Sequence, residues 1–427
     1  MTSTPVSNLW QVSIAQRAET QPFSKDQTVD LAIIGGGFTG CAAALEAARL
    51  GASVTVLEAE TIGHGGSGRN VGLVNAGLWL PPNEITEALG EDVGRHLIDT
   101  LAEGPTRVFD IIARESIDCE ATRSGTLHLA HAPSGLKDLE NRFRQGNRLG
   151  APIQLLDATE ARRRTGSEAF HGALFDPRAG TIQPLAYCHG LARAASAAGA
   201  ALHDHSAVTA IRHKDDTWHL SCNGHTLRAR HLLLATNAYH AALSAPFRPA
   251  YVPVHYSQFA TAPLPEDLRA RILPGGEGCW DTALVMSSIR IDAAGRLIVG
   301  GMGDSDGPGR PVHAAWARRK LRTLYPELAD IPFEHAWSGR IAMTSDHIPK
   351  VLSIGPRAFA VFGYSGRGIS PGTVFGTAAA EALLQERPEA LPLPPQAAHS
   401  ETLTGLKQAY YEFGATLTHA IRPSPLG

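Results

Sequence analysis

The sequence has few cysteines and no long apolar run, and each shortage excludes a class of protein. Only 5 of its 427 residues are cysteine, and they are scattered, so neither a disulfide framework nor a metal-ligand cluster is expected. No run of about 18 apolar residues could span a membrane. The first 29 residues also lack the basic and apolar regions of a secretory signal. We therefore expect a cytoplasmic protein without a membrane span, in a reducing compartment.

An excess of charge of either sign is also missing. The formal net charge is −3 and the isoelectric point is near 6.7, which gives no general attraction to nucleic acid or to an anionic membrane. The chain is longer than the roughly 250–300 residues at which a single core usually stops growing. Two domains and a small-molecule substrate are therefore expected.

A glycine-rich turn near the N-terminus is the first feature that points to a function. The run DLAIIGGGFTG reads as an apolar strand, a turn and the start of a helix near Phe38. Gly35 permits the tight turn, Gly37 lets the backbone approach a pyrophosphate, and Gly40 lets the helix pack closely on the sheet. The helix would point its free N–H groups and its positive dipole end at the phosphates.

An acidic residue follows at the end of the next strand, SVTVLEAE. Glu58 lies about 20 residues beyond the turn, where a carboxylate can hold both ribose hydroxyls of an adenosine and disfavours a 2′-phosphate. The alternative is an ordinary strand-to-helix turn without a ligand. Because the strand, the helix and the acid agree, the segment predicts a dinucleotide site, although it leaves NAD and FAD both open.

Two further glycine-rich segments favour the longer cofactor. In residues 61–79, backbone N–H groups together with Ser67 and Arg69 suit a second diphosphate contact, whereas a flexible linker is the alternative. Near the C-terminus, GYSGRG precedes an alanine-rich helix whose N-terminus would stabilise negative charge on a reduced flavin. A cradle built from distant parts of the chain suits an extended cofactor such as FAD.

The remaining pattern predicts how the chain is organised. The apolar run LLLAT reads as a buried strand that rejoins the sheet begun at Asp30. Between residues 245 and 335 the runs alternate as β-strands do, and the turn DAAGR joins two of them in a hairpin. We expect an antiparallel sheet here that forms the floor of a substrate cavity.

Taken together, IIGGGFTG, GHGGSGRNVG, LLLATNAY, IRIDAAGRLIVGG and GYSGRGISPGTVFG resemble the D-amino-acid oxidase superfamily of FAD oxidoreductases. The resemblance is to the branch with γ-glutamylputrescine, sarcosine and glycine oxidases, and it spans nearly the whole chain. It implies an α/β fold: a glutathione-reductase-type, Rossmann-like FAD domain and a smaller α+β domain with a mainly antiparallel sheet. The expected FAD-binding domain comprises residues 1–80, 155–240 and 340–427, and the substrate domain residues 81–154 and 241–339.

The resemblance also implies which residues hold FAD. The first turn and Glu58 would hold the ADP half, the backbone of Val208 would contact adenine, and the last turn would contact the pyrimidine edge of the flavin. The implied cofactor contacts are Gly35, Gly37, Phe38, Thr39, Gly40, Glu58, Ser67, Gly68, Arg69, Asn70, Val208, Thr236, Gly339, Arg340, Gly366, Arg367, Gly368 and Ile369.

The implied reaction is oxidation of a C–N bond in an amine or amino acid by hydride transfer to flavin N5. The imine that forms would be hydrolysed, and oxygen or another acceptor would reoxidise the flavin. The alternatives are a dehydrogenase that passes electrons to a quinone or a carrier protein, and a flavin-binding protein without turnover. Sarcosine oxidases have a flavin-linking cysteine where this chain has Gly339 and a lysine where it has Ser370. Non-covalent FAD and a substrate other than sarcosine are therefore expected.

Four residues are candidates for handling the substrate. Arg290 precedes the DAAGR turn, where related oxidases place a carboxylate-binding arginine, and Arg340 is a second candidate for the same role. An outward arginine paired with a surface acid is the alternative for Arg290. His255 and Tyr256 lie on the strand VPVHYSQFA and could orient or deprotonate an amine. Because side chains alternate along a strand, only one of these two can face the cavity.

Overall fold

The computed structural model describes residues 7–241, 243 and 246–421. The remaining residues of the predicted domains, 1–6, 242, 244–245 and 422–427, lie outside the described part. The strands are β1 (Gln27–Ile34), β2 (Val54–Leu57), β3 (Leu73–Val74), β4 (Thr126–Leu129), β5 (Gln154–Leu156), β6 (Ala173–Asp176), β7 (Gly180–Thr181), β8 (Ala201–His203), β9 (Val208–Lys214), β10 (Thr217–Cys222), β11 (His225–Leu234), β12 (Val252–Pro263), β13 (Gly278–Asp281), β14 (Ser287–Ile291), β15 (Arg296–Met302), β16 (Phe333–Met343), β17 (Lys350–Gly355) and β18 (Ala358–Phe362).

Helices cover both sheets and precede or follow most of the strands. They are α1 (Leu9–Ser13), α2 (Phe38–Arg49), α3 (Pro82–Leu89), α4 (Glu91–Ala102), α5 (Gly104–Arg114), α6 (Pro133–Arg148), α7 (Ala158–Thr165), α8 (Pro184–Ala197), α9 (Glu266–Arg269), α10 (Arg310–Leu324), α11 (Ile369–Leu384) and α12 (Thr404–Ile421). Short 3₁₀ helices occur at Gly66–Gly68, Pro326–Leu328 and Pro388–Ala390. Within the described residues no helix is long and apolar enough to cross a lipid bilayer.

The first sheet has the strand order β17-β18-β11-β1-β2-β8, and β10 pairs with both β11 and β9. Its central strands β18, β11, β1, β2 and β8 run parallel. The apolar half of β1 is buried on both faces, as expected of a central parallel strand covered by helices. The prediction that LLLAT rejoins this sheet is confirmed, because Leu232, Leu233 and Leu234 of β11 pair with β1.

The second sheet has the order β16-β12-β15-β14-β13-β4-β6-β5 and is mainly antiparallel. Its hairpin β14–β15 turns through DAAGR as predicted. One face is turned to the first sheet, and α10 and α12 pack on strands of this sheet. Phe259 and Trp316 lie in the core on that helical side.

The two sheets draw on distant parts of the chain, which bears on the expected domain ranges. Strands β5 and β6 belong to the second sheet, although residues 155–240 were assigned to the FAD-binding domain. Strand β6 pairs with β4 and β5 pairs with β6, so the segment up to Asp176 extends the second sheet. All strands of the first sheet lie inside the predicted FAD ranges. The division into domains itself stays a prediction.

Candidate active site

A cavity of about 360 Å³ lies where the carboxyl ends of the central strands of the first sheet meet the second sheet. Its walls include residues within two positions after the ends of β1, β2, β11 and β18, namely Gly35, Glu58, Ala235 and Tyr364. The outer ends of parallel strands are where open α/β sheets bind ligands. The arrangement therefore places one elongated ligand site between the two sheets.

The first glycine turn has the geometry that its sequence predicts. Gly35 has a φ of +109°, a conformation that side-chain-bearing residues rarely adopt. A Cβ at Gly37 would lie 2.8 Å from the hydroxyl oxygen of Ser67, so only glycine keeps this edge of the cavity open. Helix α2 starts at Phe38, and its first turn lies beside the cavity. This is a site for an anionic group such as a pyrophosphate.

The carboxylate of Glu58 is built into the same turn. Its Oε2 accepts a hydrogen bond from the backbone N–H of Gly36 at 2.6 Å, and its Oε1 accepts one from the N–H of Glu60 at 3.0 Å. Burial raises the pKa of Glu58, while these N–H groups oppose the shift. Glu58 thus both fixes the turn and lines the cavity.

The glycine-rich loop after β2 packs against the first turn. The hydroxyl of Ser67 accepts a hydrogen bond from the N–H of Phe38 at 3.0 Å. Arg69 donates from Nε to the carbonyl oxygen of His64 at 2.9 Å and from Nη1 to that of Ser338 at 3.1 Å. The loop is therefore held by bonds to α2 and to β16 of the second sheet, which argues against a flexible linker.

The first and last glycine turns are in direct contact. Helices α2 and α11 pack against each other, and both of their N-termini open into the cavity. Thr39 Oγ1 and the hydroxyl of Tyr364 are hydrogen-bonded at 2.7 Å. Arg367, in the last turn, donates from Nη1 to the carbonyl oxygen of Ala76 at 2.8 Å. Two positive helix ends at one cavity favour an extended anionic cofactor.

The floor of the cavity is formed by residues that pair with one another across neighbouring strands of the second sheet. Adjacent strands pair Gln258 with Gly300, Gly300 with Ser288, Ser288 with Trp280, and Trp280 with His128. Paired residues share a face of the sheet, so these side chains all point toward the first sheet. Because Gly300 carries no side chain, Gln258 and Ser288 approach each other above it.

Tyr256 and Trp280 complete the floor. The hydroxyl of Tyr256 donates to the Oγ of Ser288 at 3.1 Å, and burial raises the pKa of Tyr256. Trp280 stacks on His128 with ring centroids 4.9 Å apart, and the guanidinium of Arg367 lies 4.9 Å from the centre of the Trp280 ring. Burial lowers the pKa of Arg367 to about 10, so it remains charged at neutral pH. The floor is aromatic and polar, with a cation at one end.

Most of the predicted contacts lie together around this cavity. The lining residues that the sequence predicted are Gly35, Gly37, Phe38, Thr39, Glu58, Ser67, Arg69, Asn70, Thr236, Tyr256, Gly339, Arg340, Gly366, Arg367, Gly368 and Ile369. Five predicted residues are not among the described residues that line it: Gly40, Gly68, Val208, His255 and Arg290. Gly40 and Gly68 instead pack against backbone, at Gly35 and Gly63 respectively.

Arg290 does not reach the cavity, which corrects the predicted substrate role. Its Nη1 donates to the carbonyl oxygens of Val71 at 3.2 Å, Gly72 at 3.4 Å and Ile182 at 2.5 Å. Its guanidinium also lies 5.6 Å from the ring centre of Trp10. The side chain is 2% exposed, and burial lowers its pKa to about 10. Arg290 is a buried structural cation that fixes the loop after β2.

His255 and Val208 also lie elsewhere. Alternation along β12 turns Tyr256 to the cavity and His255 to the opposite side, where its Nδ1 lies 3.7 Å from Oε2 of Glu412. His255 therefore cannot touch a substrate in this cavity. Val208 begins β9, pairs with Cys222 and is buried in the core.

Several lining residues were missed from the sequence. Tyr239, Gln258, Trp280 and Ser288 line the cavity, but none of them was assigned a role there from the sequence. Tyr239 ends the motif LLLATNAY, and Gln258 is two residues from Tyr256 and shares its face, so these two had a usable signal. Tyr239 accepts a hydrogen bond from the N–H of Arg340, and Trp280 and Ser288 depend on strand pairings that no local pattern reveals.

The two sheets and their shared cavity define a dinucleotide-dependent oxidoreductase. More specifically, the chain belongs to the FAD dependent oxidoreductase (DAO) family, whose sequence model matches residues 30–382. FAD is therefore the cofactor, and the predicted fold class is confirmed.

Named relatives and solved structures agree with the family. The chain is 31% identical to the probable oxidoreductase OrdL of Rhizobium meliloti, over 90% of each chain. It is 30% identical to the gamma-glutamylputrescine oxidoreductase of Escherichia coli, over 88% of each chain. Its fold is similar to that of glycine oxidase from Geobacillus kaustophilus, with a TM-score of 0.69 at 22% identity, covering 87% of this chain and 100% of the other.

The residues present fit FAD. The open edge at Gly37, the two helix N-termini and the carboxylate of Glu58 provide for phosphates and a ribose. Trp280 Nε1 and Gln258 Oε1 are buried polar atoms without a hydrogen-bond partner in the described part of the chain. Buried polar atoms are normally paired, so these two indicate that the floor is completed by a ligand or by side-chain adjustment around one.

Proposed function

We propose that the chain oxidises a C–N bond of an amine or amino acid with non-covalently bound FAD, and that oxygen reoxidises the cofactor. The observation that carries this proposal is the polar floor of Tyr256, Gln258, Ser288 and Trp280, which shares one cavity with both glycine turns. One relative, from Escherichia coli, is a gamma-glutamylputrescine oxidoreductase, and another, from Geobacillus kaustophilus, is a glycine oxidase. Both names support an amine or amino-acid substrate.

The chain's own residues would hold the cofactor at both ends. The first turn and Glu58 would bind the ADP half, and Gly366, Arg367 and Gly368 would lie at the flavin end. FAD supplies the acceptor for a hydride from the carbon next to nitrogen. Gly339 lines the cavity where a thiol would be needed for a link through cysteine, and among the described lining residues none is a cysteine. This supports non-covalent binding.

Tyr256 is suited to orient the substrate. Burial raises the pKa of its hydroxyl, which therefore stays protonated at neutral pH and is a poor general base. Its oxygen can still accept a hydrogen bond from an amine while the proton is donated to Ser288. The amine nitrogen would thereby be positioned over the floor, with Gln258 as a second polar neighbour.

A carboxylate on the substrate has two possible partners. Arg340 is exposed at the edge of the cavity and its guanidinium lies 4.8 Å from the ring centre of Tyr239. Arg367 is half-buried at the Trp280 end of the floor. An arginine can bind a carboxylate through two parallel hydrogen bonds. Arg340 keeps the role predicted for it, and Arg367 joins it as a candidate.

The proposal is tested by anaerobic reduction of the purified, FAD-loaded protein. A panel of monoamines, diamines, N-methyl amino acids and α-amino acids is mixed with it, and loss of the visible flavin absorbance is followed. We expect at least one class to bleach the flavin, and Tyr256→Phe to slow bleaching about tenfold, since a positioned polar group contributes on the order of 1 kcal/mol or more. Tyr325→Phe is the control, because that buried hydroxyl bonds Thr165 away from the cavity.

The electron acceptor is tested by admitting air to the reduced protein. Rapid return of the flavin absorbance with formation of hydrogen peroxide supports an oxidase. Slow return without peroxide, but fast return with a soluble quinone, would replace oxygen by a quinone or a carrier protein. If no compound in the panel reduces the flavin, the amine or amino-acid proposal fails.

The cellular location is proposed as the cytoplasm. All five cysteines are unpaired and buried, which supports a compartment that keeps thiols reduced. Fractionation of the source cells, with the chain followed by an antibody, tests this assignment.

A further inference from the structure

The C-terminal helix α12 carries an apolar face that nothing in the described chain covers. Six of the eleven large hydrophobic side chains that are exposed in the described residues lie between residues 403 and 421. The outer stripe consists of these six, with the exposed fraction of each: Leu403 69%, Leu406 67%, Tyr410 72%, Phe413 68%, Leu417 43% and Ile421 66%. Monomeric proteins rarely expose so contiguous an apolar patch without a partner.

The inner face of α12 is firmly attached to the rest of the protein. Ala415 and His419 are buried, and the ring of His419 stacks on Trp316 with centroids 4.1 Å apart. Glu412 accepts a hydrogen bond from the N–H of Asp304 at 3.0 Å and lies 3.4 Å from Nε2 of His313. The helix is therefore not a loose end, and its outer stripe is held at a fixed place on the protein.

Burial alone would raise the pKa of Glu412, but its bonds to His255, His313 and the Asp304 N–H outweigh this effect and hold the pKa well below the usual value. The carboxylate is thus charged and committed to the inner side. Lys407, the other charged residue of Thr404–Ile421 apart from its histidine, donates to Ser345 at 2.8 Å. The outer stripe consequently has no charged side chain within it.

The spacing of the stripe fits another helix. Leu406, Tyr410, Phe413 and Leu417 follow one another at intervals of four, three and four residues, which is the a/d spacing of a helix that packs lengthwise on a helix. With about 100° per residue, the five stripe positions within α12 fall within roughly 80° of each other on the helix surface, and Leu403 directly precedes the helix. A straight, narrow stripe of this kind favours a helical partner over an irregular surface.

The area and the lack of charge favour a second copy of the same chain. Aromatic side chains bury about 150–250 Å² each, so six large side chains that are about two-thirds exposed offer on the order of 600–700 Å², close to the ~800 Å² per partner of a stable interface. A helix that lies on a lipid surface usually carries lysine and arginine on its polar face, and α12 has only Lys407. Because the stripe carries no charge, two copies of it can face each other without bringing like charges together.

We propose that two copies of this chain associate through an antiparallel pairing of α12, with Phe413 near the two-fold axis. Tyr410 of one copy then lies against Leu417 of the other, and Leu406 against Ile421. A two-fold pairing of this type buries the same stripe on both copies and closes without leaving a free face. The inference is independent of the proposed function, since it concerns a surface on the far side of β12.

The first test is the mass of the FAD-loaded full-length protein in solution, measured by sedimentation equilibrium at micromolar concentration. We expect a dimer, and we expect Phe413→Glu to weaken it at least 100-fold and yield monomers. The control is Leu284→Glu, because Leu284 is 97% exposed but lies outside the stripe, and it should leave the dimer intact. A monomeric wild type, or a dimer unaffected by Phe413→Glu, would overturn the proposal.

The second test does not depend on how well the charged variant folds. In Phe413→Cys, two thiols near the axis should form an intermolecular disulfide under mild oxidation, whereas Leu284→Cys should not, and the five native cysteines are buried. Co-flotation of the wild type with lipid vesicles, without cross-linking of Phe413→Cys, would assign the stripe to a membrane surface and refute the dimer. Neither measurement uses a substrate, so both remain decisive if the amine panel fails.

Discussion

The hydroxyl of Tyr239 accepts a hydrogen bond from the backbone N–H of Arg340 at 2.7 Å, and the Arg340 guanidinium lies over the same ring. Tyr239 follows β11 of the first sheet, whereas Arg340 belongs to β16 of the second. The ring also lies against Gly65, where a Cβ would be 2.8 Å from it. One side chain thus fixes the relative position of both sheets and the glycine-rich loop at the edge of the cavity.

Replacing Tyr239 by Phe should weaken FAD binding. The change leaves the N–H of Arg340 without its partner and costs about 1 kcal/mol, which corresponds to about fivefold in Kd. Titration of the apoprotein with FAD, followed by flavin fluorescence, measures this. Tyr410→Phe is the control: it removes an exposed hydroxyl on α12, away from the cavity, and should leave the Kd for FAD unchanged. An unaltered Kd in Tyr239→Phe would show that the bond does not hold the cavity.

Gly40→Ala should destabilise the protein although it lies inside helix α2. Alanine normally stabilises a helix by about 1 kcal/mol relative to glycine, but here a Cβ would overlap the carbonyl oxygen of Gly35. Steric overlap with backbone costs about 1–3 kcal/mol, so a net loss and a lower Tm are expected. Gly405→Ala in α12 is the comparison, because no atom lies within 4 Å of the added Cβ, and its Tm should be unchanged or higher. Equal Tm shifts in both variants would refute this reading of the turn.

Arg290→Met should act on stability and not on substrate selection. The carbonyl oxygens of Val71 and Ile182 lose the Arg290 donor, whereas that of Gly72 keeps the N–H of Ile182. A loss of roughly 2–3 kcal/mol is expected from the unpaired buried groups. Thermal unfolding checks this, with Arg290→Lys as a milder variant that keeps the charge. The KM values of substrates with and without a carboxylate should change alike. An unchanged Tm together with a higher KM only for carboxylates would restore the role first predicted for Arg290.

His189 should make the protein less stable in mild acid. Burial lowers its pKa to about 4, and its Nδ1 accepts a hydrogen bond from the N–H of Ala18 at 3.0 Å, so the folded state needs the neutral ring. The unfolded chain binds a proton near pH 6.5, hence stability is complete above that pH and falls as the pH drops toward 4. Between pH 7.5 and 5.5 the loss from this residue is about 1.4 kcal/mol.

Urea unfolding at a fixed protein concentration, at pH 7.5 and 5.5, measures that loss. The matched variant is His189→Asn, whose Oδ1 can accept the same bond but does not titrate. It should lose about 1.4 kcal/mol less than the wild type over this interval. An identical pH dependence in both proteins would assign the acid sensitivity to other histidines.

The sequence revealed the parts of the site whose physical cause is local. A turn that needs a positive φ, a helix start and an acid at a strand end are all encoded within about 30 residues, so Gly35, Phe38 and Glu58 could be placed. Alternation along β12 correctly limited the choice to one of His255 and Tyr256. It did not say which, because the facing direction is set by the pairing of β12 with β15 and β16.

What the sequence could not reveal depends on contacts between distant segments. The hairpin at Arg290 was predicted correctly, yet the fate of its side chain is decided by carbonyls at Val71 and Ile182. Trp280 lies on a strand of four residues, too short for a periodic signal, and its place on the floor follows from pairing with β4 and β14. The position of β5 and β6 in the second sheet is of the same kind.

The strand order of the first sheet also determines when each strand can pair with its neighbour during synthesis. Strand β2 follows β1 closely in the chain, so it can join β1 soon after β1 has been made. The other neighbour of β1, β11, begins only at His225, and β18 follows at Ala358. Until β11 has been made, one edge of the apolar central strand β1 therefore lacks its partner, and pairing of such distant segments is slow. The central pairing of this sheet is therefore expected to form late, and slowly, during folding.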